Sequence, residues 1–284
     1  MNDRGKTARV TPIRIILSGA CGRMGTALLE ALFSGQTDIA LGAALEKKGH
    51  ALINQKIGLP GHRSDIYIVD EPKQAVLHGD VIVDFTHPLA TLALLKEAKK
   101  AGKPMVIGTT GLSMPAQAAL RRAARVLPIV ISPNMSIGVN VLFKLIADAT
   151  AALGGGYDVE IVEMHHRYKK DAPSGTALRM GEMVARARGT TLSHVGRLTR
   201  QGMIGERSAG EIGICALRGG DVIGQHRVIF AGSGEQIELA HHASNRSHFA
   251  QGALAAARWI VQQKPGLYTL MDVLGLCPTA AHPP

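Results

Sequence analysis

Cysteines, aromatic residues and long apolar runs are all scarce in this chain, and each shortage closes off a class of function. Three cysteines, Cys21, Cys215 and Cys277, lie far apart with no CxxC pair. A zinc site or a dithiol couple therefore lacks its usual ligands, and the odd number of thiols points to a reducing compartment. Aromatic residues make up 4% of the chain, so base-stacking platforms have little material and single-stranded nucleic-acid binding loses support. No stretch reaches ~18 consecutive apolar residues, and residues 1–9, MNDRGKTAR, lack the apolar segment of a signal peptide. The expectation is a cytoplasmic protein with no membrane partner and a disordered tail up to about Thr11. Internal repeats, low-complexity tracts and long charge runs are also missing, which leaves repeat architectures and nucleic-acid tails unsupported.

What remains describes a globular enzyme-sized chain. Its 284 residues exceed the usual single domain, and 46% hydrophobic against 19% charged residues is enough for packed cores. Lys plus Arg exceed Asp plus Glu by 32 − 22 = 10, a balance that suits anionic partners such as nucleotides or carboxylates as well as a merely solvated basic surface.

From Ile13 onward, short β-rich runs alternate with helical spacings. IRIIL (13–17) ends at Gly19, after which Met24, Ala27, Leu28, Ala31 and Leu32 recur as on a helix. Further runs at 39–45, 66–69, 81–85, 104–110 and 128–132 predict a parallel sheet with covering helices. After Asn134 the pattern changes to one long helix ended by three glycines (154–156), a strand over 157–168, a helix over 177–188, and three strands near 211–217, 222–230 and 235–241. Glycine-rich turns between the last three predict an antiparallel meander. The fold class is thus α/β: a Rossmann-like domain (12–136 and 247–284) and an α+β substrate and oligomerisation domain (137–246) with a mixed, mainly antiparallel sheet. Hinges are expected at 134–137 and 245–247.

Gly19-Ala20-Cys21-Gly22-Arg23-Met24-Gly25 lies where the first strand meets the first helix, as a pyrophosphate-binding turn would. A plain tight turn can look the same. Glu46 stands 46 − 25 = 21 residues beyond the last glycine, close to the ~20-residue offset of a ribose-binding carboxylate. Lys47 and Lys48 follow and could meet a 2′-phosphate, although a solvated EKK turn is also common. Phe85-Thr86, Gly108-Thr109-Thr110-Gly111 and Ser132-Pro133-Asn134-Met135 each follow another predicted strand. The carboxyl ends of such strands line one crevice in an open parallel sheet.

Residues 163–176, EMHHRYKKDAPSGT, concentrate titratable groups before a helix start. Neighbouring strand residues point to opposite faces, so His165 and His166 are a poor pair for one metal, and none is expected. Cooperation of His165 with Lys169 needs a turn after Tyr168, because an unbroken strand would hold them ~13 Å apart. The amides of Ser174-Gly175-Thr176 open the next helix and can receive a carboxylate. Helix capping is the bland alternative for these hydroxyls, as structural burial is for either histidine.

Together, GACGRMG (19–25), LGAALEKK (41–48), VDFTHP (83–88), VIGTTG (106–111), SIGVNV (136–141) and EMHHRYKKDAPSGTAL (163–178) resemble the 4-hydroxy-tetrahydrodipicolinate reductase family, also called dihydrodipicolinate reductase, of lysine and diaminopimelate biosynthesis. The resemblance runs in order from about Ile13 to Leu274. It implies a two-domain homotetramer, assembled through the C-terminal sheet, that reduces a small cyclic dicarboxylate with NADH or NADPH. It further implies His165 as proton donor or acceptor, Lys169 as proton donor, and His166, Gly175 and Thr176 as substrate ligands. Cofactor contacts would fall on Gly19, Ala20, Cys21, Gly22, Arg23, Met24, Glu46, Lys47, Gly108, Thr109, Thr110, Ser132, Pro133, Asn134 and Met135. Two positions depart from the pattern: Cys21 stands where many members have glycine, and Lys47 where arginine often follows the glutamate. Cys21 still offers its backbone amide, whereas Lys47 would meet a phosphate as a point charge and leaves the cofactor preference open. A dinucleotide-sensing regulator and a reductase of another acid are the rival readings; the former leaves the HHRYKK and PSGT cluster without a task.

Overall fold

Apolar runs in the first half of the chain form strands because both faces of each run find cover. The computed structural model describes residues 11–277; the tail expected to be disordered lies, up to residue 10, outside them. In chain order the strands are β1 (Ile13–Ser18), β2 (Ile39–Leu45), β3 (Lys56–Leu59), β4 (His62–Val69), β5 (Val81–Asp84), β6 (Met105–Ile107), β7 (Pro128–Ile131), β8 (Asp158–His165), β9 (Gly196–Arg197), β10 (Ile212–Arg218), β11 (Gly224–Ala231), β12 (Gln236–Ala243) and β13 (Gly266–Tyr268). The helices are α1 (Arg23–Phe33), α2 (Pro72–Ala75), α3 (Pro88–Ala101), α4 (Met114–Ala123), α5 (Ile137–Leu153), α6 (Gly175–Ala187), α7 (Leu192–Val195), α8 (Ser247–Ile260) and α9 (Leu270–Val273). Among the described residues, 11–135 and Phe249–Cys277 form one compact unit and Ser136–His248 a second.

The first unit is built on a sheet of order β13-β7-β6-β5-β1-β2-β4-β3, parallel except for the β3–β4 edge. Ile15 and Leu17 pack with Leu28 of α1 and Leu254 of α8 on one face, while Ile16 and Ile82 pack with Leu94 of α3 and Leu120 of α4 on the other. The β3–β4 hairpin was not legible as such: β3 is a four-residue edge strand whose only fully buried side chain is Ile57. An edge strand needs little apolar content, so its sequence signal is weak.

The second unit has a sheet of order β12-β11-β8-β10-β9. It is antiparallel across β12-β11-β8 and parallel across β8-β10-β9. The meander expected over β10, β11 and β12 is therefore corrected: β8 lies between β10 and β11. The Gly219-Gly220 link crosses the end of β8 rather than closing a hairpin, with Gly219 N–H donating to the His165 carbonyl at 3.0 Å and Arg167 N–H to that of Gly220 at 3.2 Å. Helices α5 and α6 cover one face through Val139, Phe143, Ile146, Met180 and Val184. Residues 137–156 also pass the length and composition test for a membrane span, at mean hydropathy 1.5. No unbroken apolar run exists there because Lys144 and Asp148 interrupt it, paired at 2.5 Å. In the fold α5 packs against α6 and β12.

Candidate active site

At the carboxyl end of β1, Gly19 adopts φ +79°, and a Cβ there would stand 2.9 Å from the Phe85 carbonyl oxygen. A Cβ at Gly25 would collide with the carbonyls of Gly19 and Ala20. Glycine at these two positions thus sets a tight turn and a close seat for α1 on the strand. Gly22 is the N-cap of α1, and Arg23 and Met24 begin the helix with Arg23 exposed. Beside them a cleft of about 410 Å³ is lined by Gly19, Gly22, Glu46, Lys47, Lys48, Thr86 and His87.

Glu46 sits at the end of β2, as the spacing required, but part of its acceptor capacity is used. It takes the Cys21 N–H at 3.1 Å and the Lys47 N–H at 2.9 Å. A carboxylate has about four acceptor sites, so capacity for two ribose hydroxyls remains. The Cys21 amide, one of those expected to serve a cofactor, is thus the donor that holds Glu46. Burial, then the nearby Glu46 charge, raises the Cys21 thiol pKa, which keeps the thiol neutral.

Thr109, Thr110 and Pro133 line a second cleft of about 380 Å³ in the same unit. Gly108 N–H donates to the Asp84 carbonyl at 2.9 Å, and Ser132 Oγ donates to the Asn134 carbonyl at 2.8 Å. Met135 is buried and its carbonyl abuts Gly252 of α8. A glycine turn at a helix start, a carboxylate over one cleft and hydroxyls along the next strand ends fit a dinucleotide.

In the second unit the strand ends at His165, three residues before the predicted limit, because β10 stops at Arg218 and β11 begins at Gly224, so neither extends the ladder. The chain then turns at once, with Lys169 N–H donating to the His166 carbonyl at 3.1 Å. Val159, Ile161, Glu163 and His165 alternate onto the buried face of β8. His165 Nδ1 lies 2.6 Å from Glu163 Oε2. Arg218 grips the same carboxylate through Nη1 to Oε2 at 2.8 Å and Nη2 to Oε1 at 2.9 Å, and Ser174 N–H donates to Oε1 at 2.9 Å.

Full burial of Glu163 would raise its pKa, but the bonds from Arg218, His165 and Ser174 outweigh this and hold it below the usual carboxylate range. For His165, burial outweighs the pull of Glu163, and the charges of Lys169 and Arg218 push the same way, so its pKa is lowered. The imidazole is thus neutral near neutral pH. Lys169 Nζ lies 2.9 Å from both oxygens of Asp171, whose pKa is lowered chiefly by that bond.

Ser174 caps α6, its Oγ accepting the Ala177 N–H at 3.2 Å and meeting His226 Nε2 at 3.1 Å. Its amide and hydroxyl are therefore both engaged within the protein. Gly175 and Thr176 start the helix, and a Gly175 Cβ would meet nothing within 4 Å beyond its chain neighbours and its own helix backbone among the described residues. His166 is half-buried, and its Nδ1 is buried with no hydrogen-bond partner. His226, edge-on to His165 at 5.1 Å between ring centroids, is pushed down to a pKa of about 3 by burial and the neighbouring His165 charge.

Three residues of this site went unassigned from sequence. Glu163 stood in the titratable segment without a role, although its period-two spacing to His165 places both on one strand face. Arg218 and His226 become neighbours only through register, Arg218 opposite His165 and His226 opposite Glu163.

Comparison with known proteins agrees over nearly the whole chain. The profile described as dihydrodipicolinate reductase, N-terminus, matches residues 13–135, and that of its C-terminus matches residues 138–274. A 4-hydroxy-tetrahydrodipicolinate reductase of Nitrosomonas europaea is 47% identical over 94% of this chain and 100% of its own. One from Aromatoleum aromaticum is 46% identical over 95% and 98%. Among solved structures, a dipicolinate-bound dihydrodipicolinate reductase from Paenisporosarcina sp. TG-14 shares the fold with TM-score 0.71 and 23% identity, covering 92% of this chain and 99% of its own. With both family profiles met in order and relatives matched at nearly half of all positions, the chain belongs to the dihydrodipicolinate reductase family.

Proposed function

We propose that this protein reduces 4-hydroxy-2,3,4,5-tetrahydrodipicolinate to 2,3,4,5-tetrahydrodipicolinate with NADH or NADPH, in lysine biosynthesis by the diaminopimelate route. The observation that carries this reading is the His165–Glu163 pair, set just before Lys169 and the start of α6 in a chain with full-length family membership. Substrate, reduced cofactor and one proton give product, oxidised cofactor and one water. Water is lost as a ring C–H proton and the neighbouring hydroxyl, leaving a conjugated imine. A nicotinamide, when bound, would supply the hydride to the far carbon of the C=C conjugated with that imine. One proton delivered to the adjacent ring carbon then completes the product, with its C=N bond restored.

His165, neutral with its hydrogen on Nδ1, is suited to accept a proton at Nε2, and Lys169, beside Asp171, is suited to give one. Gly175 and Thr176 at the positive end of the α6 dipole receive a ring carboxylate, with His166 beside them. Ser174 serves them as the cap rather than as a direct ligand. On the nucleotide side, Gly19, Ala20, Gly22, Arg23 and Met24 hold the pyrophosphate, Glu46 and Lys47 the adenosine ribose, and Gly108 to Thr110 with Ser132 to Met135 the nicotinamide end. Cys21 contributes by fixing Glu46. Reaction requires ring and nicotinamide to meet, which we assign to hinge movement where the chain crosses between units, near 134–137 and 245–247. A cytoplasmic homotetramer joined through the β8–β12 sheet completes the proposal.

The test is oxidation of NADH or NADPH with the condensation product of pyruvate and aspartate semialdehyde, supplied by a coupled synthase. Turnover dependent on the synthase supports the reading; cofactor binding without turnover favours a nucleotide sensor instead.

A further inference from the structure

Glu163 takes no part in the proton inventory above, yet its carboxylate accepts four hydrogen bonds, two from Arg218 and one each from His165 and Ser174. We infer that Glu163 is the positioning residue of the site: gripped by Arg218, it holds His165 as the Nδ1–H tautomer and ties that imidazole to the end of α6. The inference rests on the proposed reduction for its kinetic consequences only.

An ionised carboxylate accepts and cannot donate, so the short contact at 2.6 Å puts the imidazole hydrogen on Nδ1. Nε2 is then the nitrogen left to accept a proton, the tautomer being set by the bond its partner nitrogen makes. Strand β11 leaves that nitrogen room: a Cβ at Gly224 would stand 3.1 Å from His165 Nε2. A ring flip would place a carbon against Glu163 and take one donor away from a fully buried carboxylate.

The other groups near this imidazole do not offer the same control. His226 meets it edge-on and bonds Ser174, while Lys169 and Arg218 carry positive charge and cannot accept. Arg218 also extends the network, since its Nη2 donates to the Asp171 carbonyl at 2.6 Å and Asp171 is the partner of Lys169. One buried carboxylate and one guanidinium thus connect the residue that accepts a proton, the turn of the residue that gives one, and the helix end that receives a carboxylate.

Glu163→Gln should invert the tautomer. Each oxygen receives one Arg218 nitrogen, but the second partner of Oε1 is the Ser174 N–H, which can only donate, whereas that of Oε2 is the His165 ring, which can reverse its role, so the amide oxygen belongs at Oε1. The amide nitrogen then occupies the Oε2 site and donates to His165 Nδ1, which moves the imidazole hydrogen to Nε2. Nitrogen NMR of histidine-labelled full-length protein, with the His165 signal assigned by its loss in His165→Asn, reads this directly. Wild type should show Nδ1 protonated and the variant Nε2 protonated. In the same variant kcat should fall on the order of 10²-fold, short of or equal to the loss caused by removing His165. Its pH profile should change while the NADH dissociation constant stays as in wild type.

A wild-type spectrum with the hydrogen on Nε2 overturns the inference, and this measurement stands even if the variant does not fold. A folded Glu163→Gln with wild-type kcat and pH profile overturns it as well. An inactive wild type with Nδ1–H would reject the proposed reaction while leaving the positioning role supported, so the two failures are distinguishable.

Discussion

Replacing Asp84 by Ala tests whether three strand and helix ends of the nucleotide-binding unit are fastened through one carboxylate. Asp84 ends β5, is fully buried, and accepts the hydroxyls of Thr86 at 2.7 Å, Thr91 at 2.5 Å and Thr109 at 3.1 Å. Thr91 belongs to α3, and Thr109 follows β6 and in turn accepts the Thr86 N–H at 2.9 Å. Alanine would leave the buried Thr91 and Thr109 hydroxyls without their acceptor, at ~1 to 3 kcal/mol each, and remove the half-buried Thr86 bond at ~1 kcal/mol. Relief from burying a carboxyl group held by neutral hydroxyls offsets part of this. The expected loss is therefore near the lower end, about 3 kcal/mol, a large share of a typical domain's stability. Asp84→Asn keeps an oxygen for Thr91 and Thr109 and turns its amide toward Thr86, whose hydroxyl can reverse to accept; about 1 kcal/mol is expected. Urea unfolding followed through Trp259 suits the measurement. It is the one tryptophan of the chain, lies on α8 in the same unit, and packs edge-on against Tyr268 at 5.0 Å. NADH affinity should fall with the Ala variant, because Thr109 sits at the proposed nicotinamide end. An alanine variant within ~1 kcal/mol of the parent, or an asparagine variant as damaged as the alanine one, would refute the fastening.

His165→Ala and Lys169→Ala should each lower kcat by ~10² to 10⁴-fold with NADH affinity unchanged, checked by steady-state kinetics beside a binding titration. Lys47→Ala should raise the KM for NADPH more than that for NADH; equal changes would remove Lys47 from phosphate recognition. His226 titrates near 3 when folded against 6.5 unfolded, so below pH 6.5 the unfolded chain binds a proton that the folded chain refuses. Stability should thus decline as pH falls through that window, by about 1.4 kcal/mol per pH unit from this residue, and His226→Gln should flatten the slope measured by urea titrations. Hydrogen exchange at 134–137 and 245–247 should change when cofactor and substrate analogue bind together, and identical exchange would count against hinge movement.

The parallel sheet was readable because strands covered on both faces leave continuous apolar runs, as IRIIL and VIVD do. The places of the glycine turn before α1 and of Glu46 after β2 were readable because they depend on local spacing. Strand order in the second unit was not, since nothing local in the 211–241 segment reveals that β8 separates β10 from β11. The same limit hid Arg218 and His226, which reach the site only through pairing with β8. Glu163 was a different omission: its position was visible two residues from His165, but its role needed the distances from three separate elements.

The discontinuous make-up of the first unit has a consequence for how the chain is synthesised. Ala250, Ala253, Leu254, Ala257 and Ile260 of α8 share a core with Ile15 and Leu28, and β13 completes the sheet beside β7. A nascent chain leaving the ribosome therefore presents an unfinished nucleotide-binding core until its last helices emerge, while Ser136–His248 is already whole. The second unit, though encoded later, is free to fold first. Release of a chain stopped near residue 246 would leave the apolar face of β1 and α1 uncovered, a substrate for chaperones and proteases rather than a half-active enzyme.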